Sequence, residues 1–229
     1  MRSANPRQSS ADNPRPRGRP AKSEADQAEI RDRILDATAA AYGESGYHAL
    51  SVKAILEKAE LSRPTFYRHF SNVDEPLRLV IARAHQGLVD RLVNRIPPEA
   101  SIDDKMARAV ELYLEWAKSL GPLLRPFYVE LHDPHSPVSE LRPQVLSRIG
   151  ELYMKTLEAS GAKVQSKLLV ELMVTGIEFL GYRYYLERSK GRITLPMIKD
   201  AMLRLMSCTL TEQRGVPRRE KRRQPAGKC

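Results

Sequence analysis

The chain is expected to be all-α, with a small N-terminal three-helix unit and a larger helical body, about nine helices in all. Three observations lead there. Apolar residues recur at three- and four-residue intervals from Glu24 to about residue 211. No run shows the period-2 alternation of a half-buried strand. Pro and Gly interrupt the pattern where helices should end.

The first helix starts near Glu24 and carries Ile30, Ile34, Thr38, Ala41 and Tyr42 on one stripe. Gly46 ends it, as a residue tolerant of positive φ does just past a C-terminus. Ser51 is the expected N-cap of a short second helix with Val52, Ile55, Leu56 and Ala59 inward. A third runs from about Arg63 to Phe70 and buries Phe66 and Phe70. A long helix from Asp74 to Arg95 follows, stopped by Pro97-Pro98, and another from Ile102 to Leu120, stopped by Gly121-Pro122. A shorter helix covers 123–131, and Asp133–Pro137 is a loop. Further helices fit 138–159, 163–188 and 195–211, separated by Ser160-Gly161 and Lys190-Gly191.

Charge divides the chain differently. The total is 38 basic against 28 acidic residues, a net of +10. The excess sits in two tails: an arm at 1–22 and a tail at 212–229, each rich in Arg, while 23–211 is neutral. These segments have too few apolar side chains to offset the entropy of ordering, so both are expected to be flexible. A polyanion such as nucleic acid is the first partner to consider, with solvated tails as the plain alternative. The resulting organisation is a basic arm (1–22), a three-helix unit (23–75), a helical body (76–211) and a basic tail (212–229).

Two cysteines, Cys208 and Cys229, build no disulfide framework, and no secretory signal is visible. The most apolar stretch, 168–186, is cut by Glu171, Glu178 and Arg183, so no membrane span is expected and the chain is read as cytoplasmic. No nucleophile–base spacing, phosphate-cradling Gly loop or HExxH motif is present, so catalysis is not expected and no cofactor is implied. His132 and His135 flank Asp133 in a proline-containing loop without a ligand framework, which reads as surface rather than a metal site.

The informative segment is Ser51–Phe70, SVKAILEKAELSRPTFYRHF. Two short helices joined by Glu60-Leu61-Ser62 have the pattern of a helix-turn-helix. Phe66 and Phe70 turn the second helix inward, leaving Arg63, Thr65, Tyr67, Arg68 and His69 outward on a rod that fits a major groove. Pro64 lacks an N–H where a first-turn donor is unpaired anyway.

These residues, Ser-Val-Lys-Ala-Ile followed by Leu-Ser-Arg-Pro-Thr-Phe-Tyr-Arg-His-Phe, resemble the DNA-binding region of the TetR family of transcriptional regulators. The specific resemblance covers 29–72, and the body matches only in helix number and length. It implies a homodimer whose third helix enters the major groove of double-stranded DNA, with a helical body binding a small effector. Carried over residue by residue, Ser51, Lys53, Tyr67 and His69 are expected to meet phosphates. Arg63, Pro64, Thr65 and Arg68 are candidates for base edges. Three positions depart from the pattern. Glu60 stands where such turns usually carry Gly, so a strained turn or a different geometry is expected there; Val73 stands where a lysine usually opens the next helix, and Pro76 close behind places a kink or a late helix start. Ser71 or Asn72 remains as a cap for that helix. Residues 24–72 are also net −2.

In the arm, Arg17-Gly18-Arg19-Pro20 resembles an AT-hook core. Arg17 and Arg19 are therefore minor-groove candidates, with non-specific phosphate attraction as the alternative. In the body, Tyr113, Trp116, Phe127, Tyr128, Tyr153, Met154 and Met173 are candidates to line a pocket for a small apolar or aromatic effector of unknown identity, or are simply core. The resemblance implies that the last two helices pair with their copies in a four-helix interface, and their apolar residues, more than one face holds, agree. Leu172, Gly176, Leu180, Met202, Leu205 and Met206 are the expected dimer face, with a monomer whose core is fully internal as the alternative. The reading is a ligand-responsive repressor that binds a pseudo-palindromic operator as a dimer. A nucleoid-associated architectural protein without an inducer is the alternative, and an enzyme with an accessory DNA-binding region the third.

Overall fold

The computed structural model of the chain describes residues 23–162, 166–187 and 191–210. The basic arm with Arg17 and Arg19, and the basic tail, lie outside the described residues. The helices are α1 (Glu24–Ser45), α2 (Val52–Ala59), α3 (Arg63–His69), α4 (Asp74–Asn94), α5 (Ile102–Ser119), α6 (Leu124–Glu130), α7 (Arg142–Ala159), α8 (Lys167–Glu187) and α9 (Leu195–Ser207). Single 3-10 turns at Gly121–Leu123 and Ser139–Leu141 precede α6 and α7. The tighter turns replace the smooth helix starts expected at 123 and 138. Gly121 lies at φ 53, and Pro122 and Pro143 each follow the start of a new element.

Caps explain most boundaries. Ser23 and Asp26 exchange side-chain and backbone hydrogen bonds in a capping box at the start of α1. Gly46, at φ 73 and ψ −178, closes that helix by donating its N–H to the Tyr42 carbonyl at 2.8 Å. Ser51, Ser62, Ser101 and Thr194 accept from the N–H three residues on at α2, α3, α5 and α9. The proline at 76 neither kinks nor delays α4. It occupies the first turn, where its missing N–H is harmless, and is buried. Asn72 is the working cap: its Oδ1 accepts from the N–H groups of Asp74 at 2.9 Å and Glu75 at 3.1 Å, and Glu75 accepts from Ser71 N–H.

One continuous apolar core runs through both units. Ile34, Tyr42, Ile55, Phe66, Leu77 and Ile81 are buried in the N-terminal part, and Leu112, Leu157, Val170 and Met202 in the body. The units join where α1 rests on α4, α6 and the 121–123 turn. At Gly43 the approach is close: a Cβ there would lie 3.2 Å from Pro122 Cβ and 3.4 Å from Leu123 N. No helix among the described residues is long and apolar enough to cross a membrane.

Candidate nucleic-acid interface

The turn between α2 and α3 settles the question raised by Glu60. It adopts the left-handed conformation, φ 51 and ψ 44, and its N–H closes α2 on the Leu56 carbonyl. A side chain with a Cβ costs about 1–2 kcal/mol more than glycine there. The carboxylate extends into solvent 3.7 Å from Arg33, an exposed pair that returns little of that cost.

Phe66 and Phe70 are buried and fix the roll of α3. Arg31 lies over the Phe70 ring, 4.7 Å from its centroid, and ties α1 to the same corner. With those two rings inward, Arg63, Pro64, Tyr67 and Arg68 are exposed, and Thr65 and His69 are half-buried. Tyr67 is 52% exposed, unusual for a large ring, and stands edge-on to Phe66. The Thr65 hydroxyl is held by Ser62 Oγ at 2.9 Å, and Arg68 Nε reaches the Pro64 carbonyl at 3.4 Å. Ser51 accepts from Ala54 N–H and keeps its own hydroxyl proton to donate. Lys53 stands 3.8 Å from Glu57 with both groups exposed, a pair that a phosphate oxygen readily displaces. Lys58 is paired with Glu44 at 2.6 Å. Val73 is half-buried against the core, so this corner offers an apolar contact rather than a cation.

Behind this surface, the body grips the end of α1. Glu130, the last residue of α6, is buried, and its Oε1 accepts the Tyr47 N–H at 2.6 Å. Its Oε2 accepts from the Ser136 hydroxyl. Burial and the charge of Glu130 push the Tyr42 phenol well up. His48 bonds Asp133 at 3.0 Å. Asp133 also accepts from His135 N–H, and His132 Nδ1 lies 3.0 Å from the Tyr128 carbonyl. Among the described residues no three His, Cys, Asp or Glu side chains are grouped to hold a metal ion.

A cavity of about 390 Å³ opens inside the body, lined from α4, α5, α7, α8 and α9. Tyr113, Trp116, Tyr153 and Met173 lie in its wall. Phe127, Tyr128 and Met154 do not. Phe127 is buried behind Trp116 and His85, Tyr128 stacks on Tyr182 at 3.9 Å, and Met154 packs against the core. The walls are mainly aliphatic, and their polar groups are few. Trp116 Nε1 donates to the Ala84 carbonyl at 2.8 Å, and Tyr113 donates to the Glu178 carbonyl at 3.2 Å. Burial pushes the Glu178 carboxyl up despite Arg142 at 2.7 Å. Lys105 and His85, which sequence reasoning passed over, also line the cavity and are buried. Their visible sign is a polar residue on an otherwise apolar stripe, Lys105 between Ile102 and Met106.

The expected dimer face is redistributed. Met202 and Met206 are buried within the chain, Met206 in the cavity wall, so neither is available to a second copy. Gly176 faces the chain's own α9: a Cβ there would lie 3.0 Å from Leu205. Leu180 and Leu205 are half-buried. Leu172, 63% exposed, aligns with exposed Leu168, Phe179 and Leu186 in a stripe along α8.

The geometry has counterparts. Residues 34–75 match the model of bacterial regulatory proteins of the tetR family. The HTH-type transcriptional repressor KstR of Rhodococcus jostii (strain RHA1) is 38% identical over 72 residues, which are 31% of this chain and 33% of that protein. The match thus spans about a third of this curated relative's length. A putative TetR-family transcriptional regulator from Syntrophomonas wolfei has the same fold, with a TM-score of 0.65 at 18% identity over 79% of this chain and 94% of its own. So does the multidrug binding protein EbrR, solved with imidazole, with a TM-score of 0.60 at 17% identity over 82% of this chain and 93% of its own. At these identities the structural likeness concerns the fold alone.

Proposed function

We propose, from the match of residues 34–75 to the tetR family of bacterial regulatory proteins, that the chain is a sequence-specific, effector-responsive transcriptional repressor acting as a homodimer in the cytoplasm. The observation that carries the reading is the outer side of α3. Two buried phenylalanines leave Arg63, Pro64, Tyr67 and Arg68 exposed on a helix of major-groove size. Ser51, Lys53, Tyr67 and His69 serve phosphates and set register, whereas Arg63, Pro64, Thr65 and Arg68 face base edges. Arg17 and Arg19 extend the footprint toward a neighbouring minor groove. The body holds a small organic effector in the cavity behind Trp116, and no catalytic role is assigned. A two-fold dimer calls for a pseudo-palindrome with half-sites one helical turn, about 34–36 Å, or a multiple apart.

Footprinting on genomic fragments tests this. One protected palindrome above bulk DNA is expected. Thr65→Ala should change the preferred bases and Tyr67→Phe should weaken all sites alike. Uniform coating of any duplex would instead assign the protein an architectural role.

A further inference from the structure

The cavity in the body is not merely apolar. Lys105 is 8% exposed, yet its ammonium has a single hydrogen bond, to Ser160 Oγ at 3.2 Å. Among the described residues no carboxylate pairs with it. Arg142, a largely covered cation, is treated differently: it has Glu178, in the same cavity's lining, at 2.7 Å. The Lys105 stem is buried while its head reaches Ser160, an exposed residue at the end of α7, so the ammonium stands at the edge of the cavity without a counter-ion, where a ligand can supply the negative charge. Lys155 lines the same cavity, and the cavity's one acid, Glu178, is already taken by Arg142.

The shape adds a direction. Ile102, Lys105, Met106, Ala109, Tyr113 and Trp116 line the cavity from successive turns of α5. Roughly 16 Å of helix axis separates Lys105 from Trp116 at the usual rise. His85, buried, sits beside Trp116 at the opposite end from Lys105. The space between is bounded mainly by aliphatic side chains such as Leu88, Ile149 and Ile177.

We propose that the effector is an elongated amphipathic anion, an apolar body with one carboxylate, whose head group is held by Lys105 while the body lies along α5 toward Trp116. This rests on the effector-responsive reading above and names the ligand's chemical class. Lys105 supplies a charge-assisted hydrogen bond at the edge of an otherwise apolar cavity. Lys155, exposed and also on the cavity's border, adds positive charge to it.

The chain contains a single tryptophan, Trp116, so its fluorescence reports the cavity directly. The full-length protein is titrated with tetradecanoate and with tetradecan-1-ol, both below their aggregation limits. The carboxylate is expected to bind about ten-fold tighter or more, the preference of one charge-assisted bond. In Lys105→Met that preference should vanish while alcohol binding persists, which also shows that the variant is folded. Lys105→Arg should keep it. Equal affinity for the two probes, a preference that survives Lys105→Met, or a tryptophan indifferent to both would overturn the proposal. Because binding is read on DNA-free protein, that failure leaves the operator reading untouched. A protein that binds the carboxylate yet selects no palindrome would sink the operator reading alone.

Discussion

At the scale of the residue, His85 makes the clearest testable statement. It is buried against Trp116 and Phe127, and burial pushes its imidazole from 6.5 down to about 4. Between those values the unfolded chain binds a proton that the folded one excludes. Stability is therefore lost as pH falls through that window, by about 3 kcal/mol at its acid end. Denaturant unfolding of the native protein and of His85→Phe at pH 7 and pH 4 isolates this contribution, since other groups cancel in the difference. A difference that does not change with pH would refute the assignment. The outward side of α3 was legible in the sequence, because Phe66 and Phe70 dictate the roll of α3 and so which side chains remain outside. Glu60 was legible as an anomaly, and its left-handed backbone is the consequence. Lys105 and His85 were not, because a polar residue on an apolar stripe reads as a flaw until the cavity around it is seen.

Helices were legible from apolar spacing and their Pro and Gly stops, and Ser51 caps α2 as expected; Ser23, Ser62, Ser101 and Thr194 do the same for α1, α3, α5 and α9. What joins them was not, because periodicity says which face is buried and not which helix buries it. Glu130 is the example, bonding Tyr47 across 83 residues of sequence. Replacing Glu130 by Ala leaves that N–H and the Ser136 hydroxyl without their acceptor and should cost about 1–3 kcal/mol by denaturant unfolding. Amide exchange at Tyr47 should accelerate as well. Glu130→Gln keeps an oxygen acceptor and should lie close to the native protein. If the two variants behave alike, the carboxylate is not what secures the end of α1.

For the molecule as a whole, the sequence carried too much apolar surface on the last two helices for one face, and that excess is real. Its partition was misjudged, because pattern alone does not separate burial within a chain from burial between chains. Met202 and Met206 complete the chain's own core, while Leu168, Leu172, Phe179 and Leu186 remain outside. If the proposed dimer forms through this stripe, Leu172→Asp should give a monomer by light scattering, with helical content unchanged by circular dichroism. A persistent dimer would locate the interface elsewhere.

The meeting of α1 with the turn at 121–123 has a mechanical implication. Side chains are normally the compliant layer between helices, absorbing small displacements by changing rotamer. At Gly43 that layer is missing, and Pro122 stands almost directly on backbone. A displacement of a few tenths of an ångström in the proline has no cushion to disappear into. It arrives in α1 undamped, in the helix against which α2 packs, and α2 in turn carries α3.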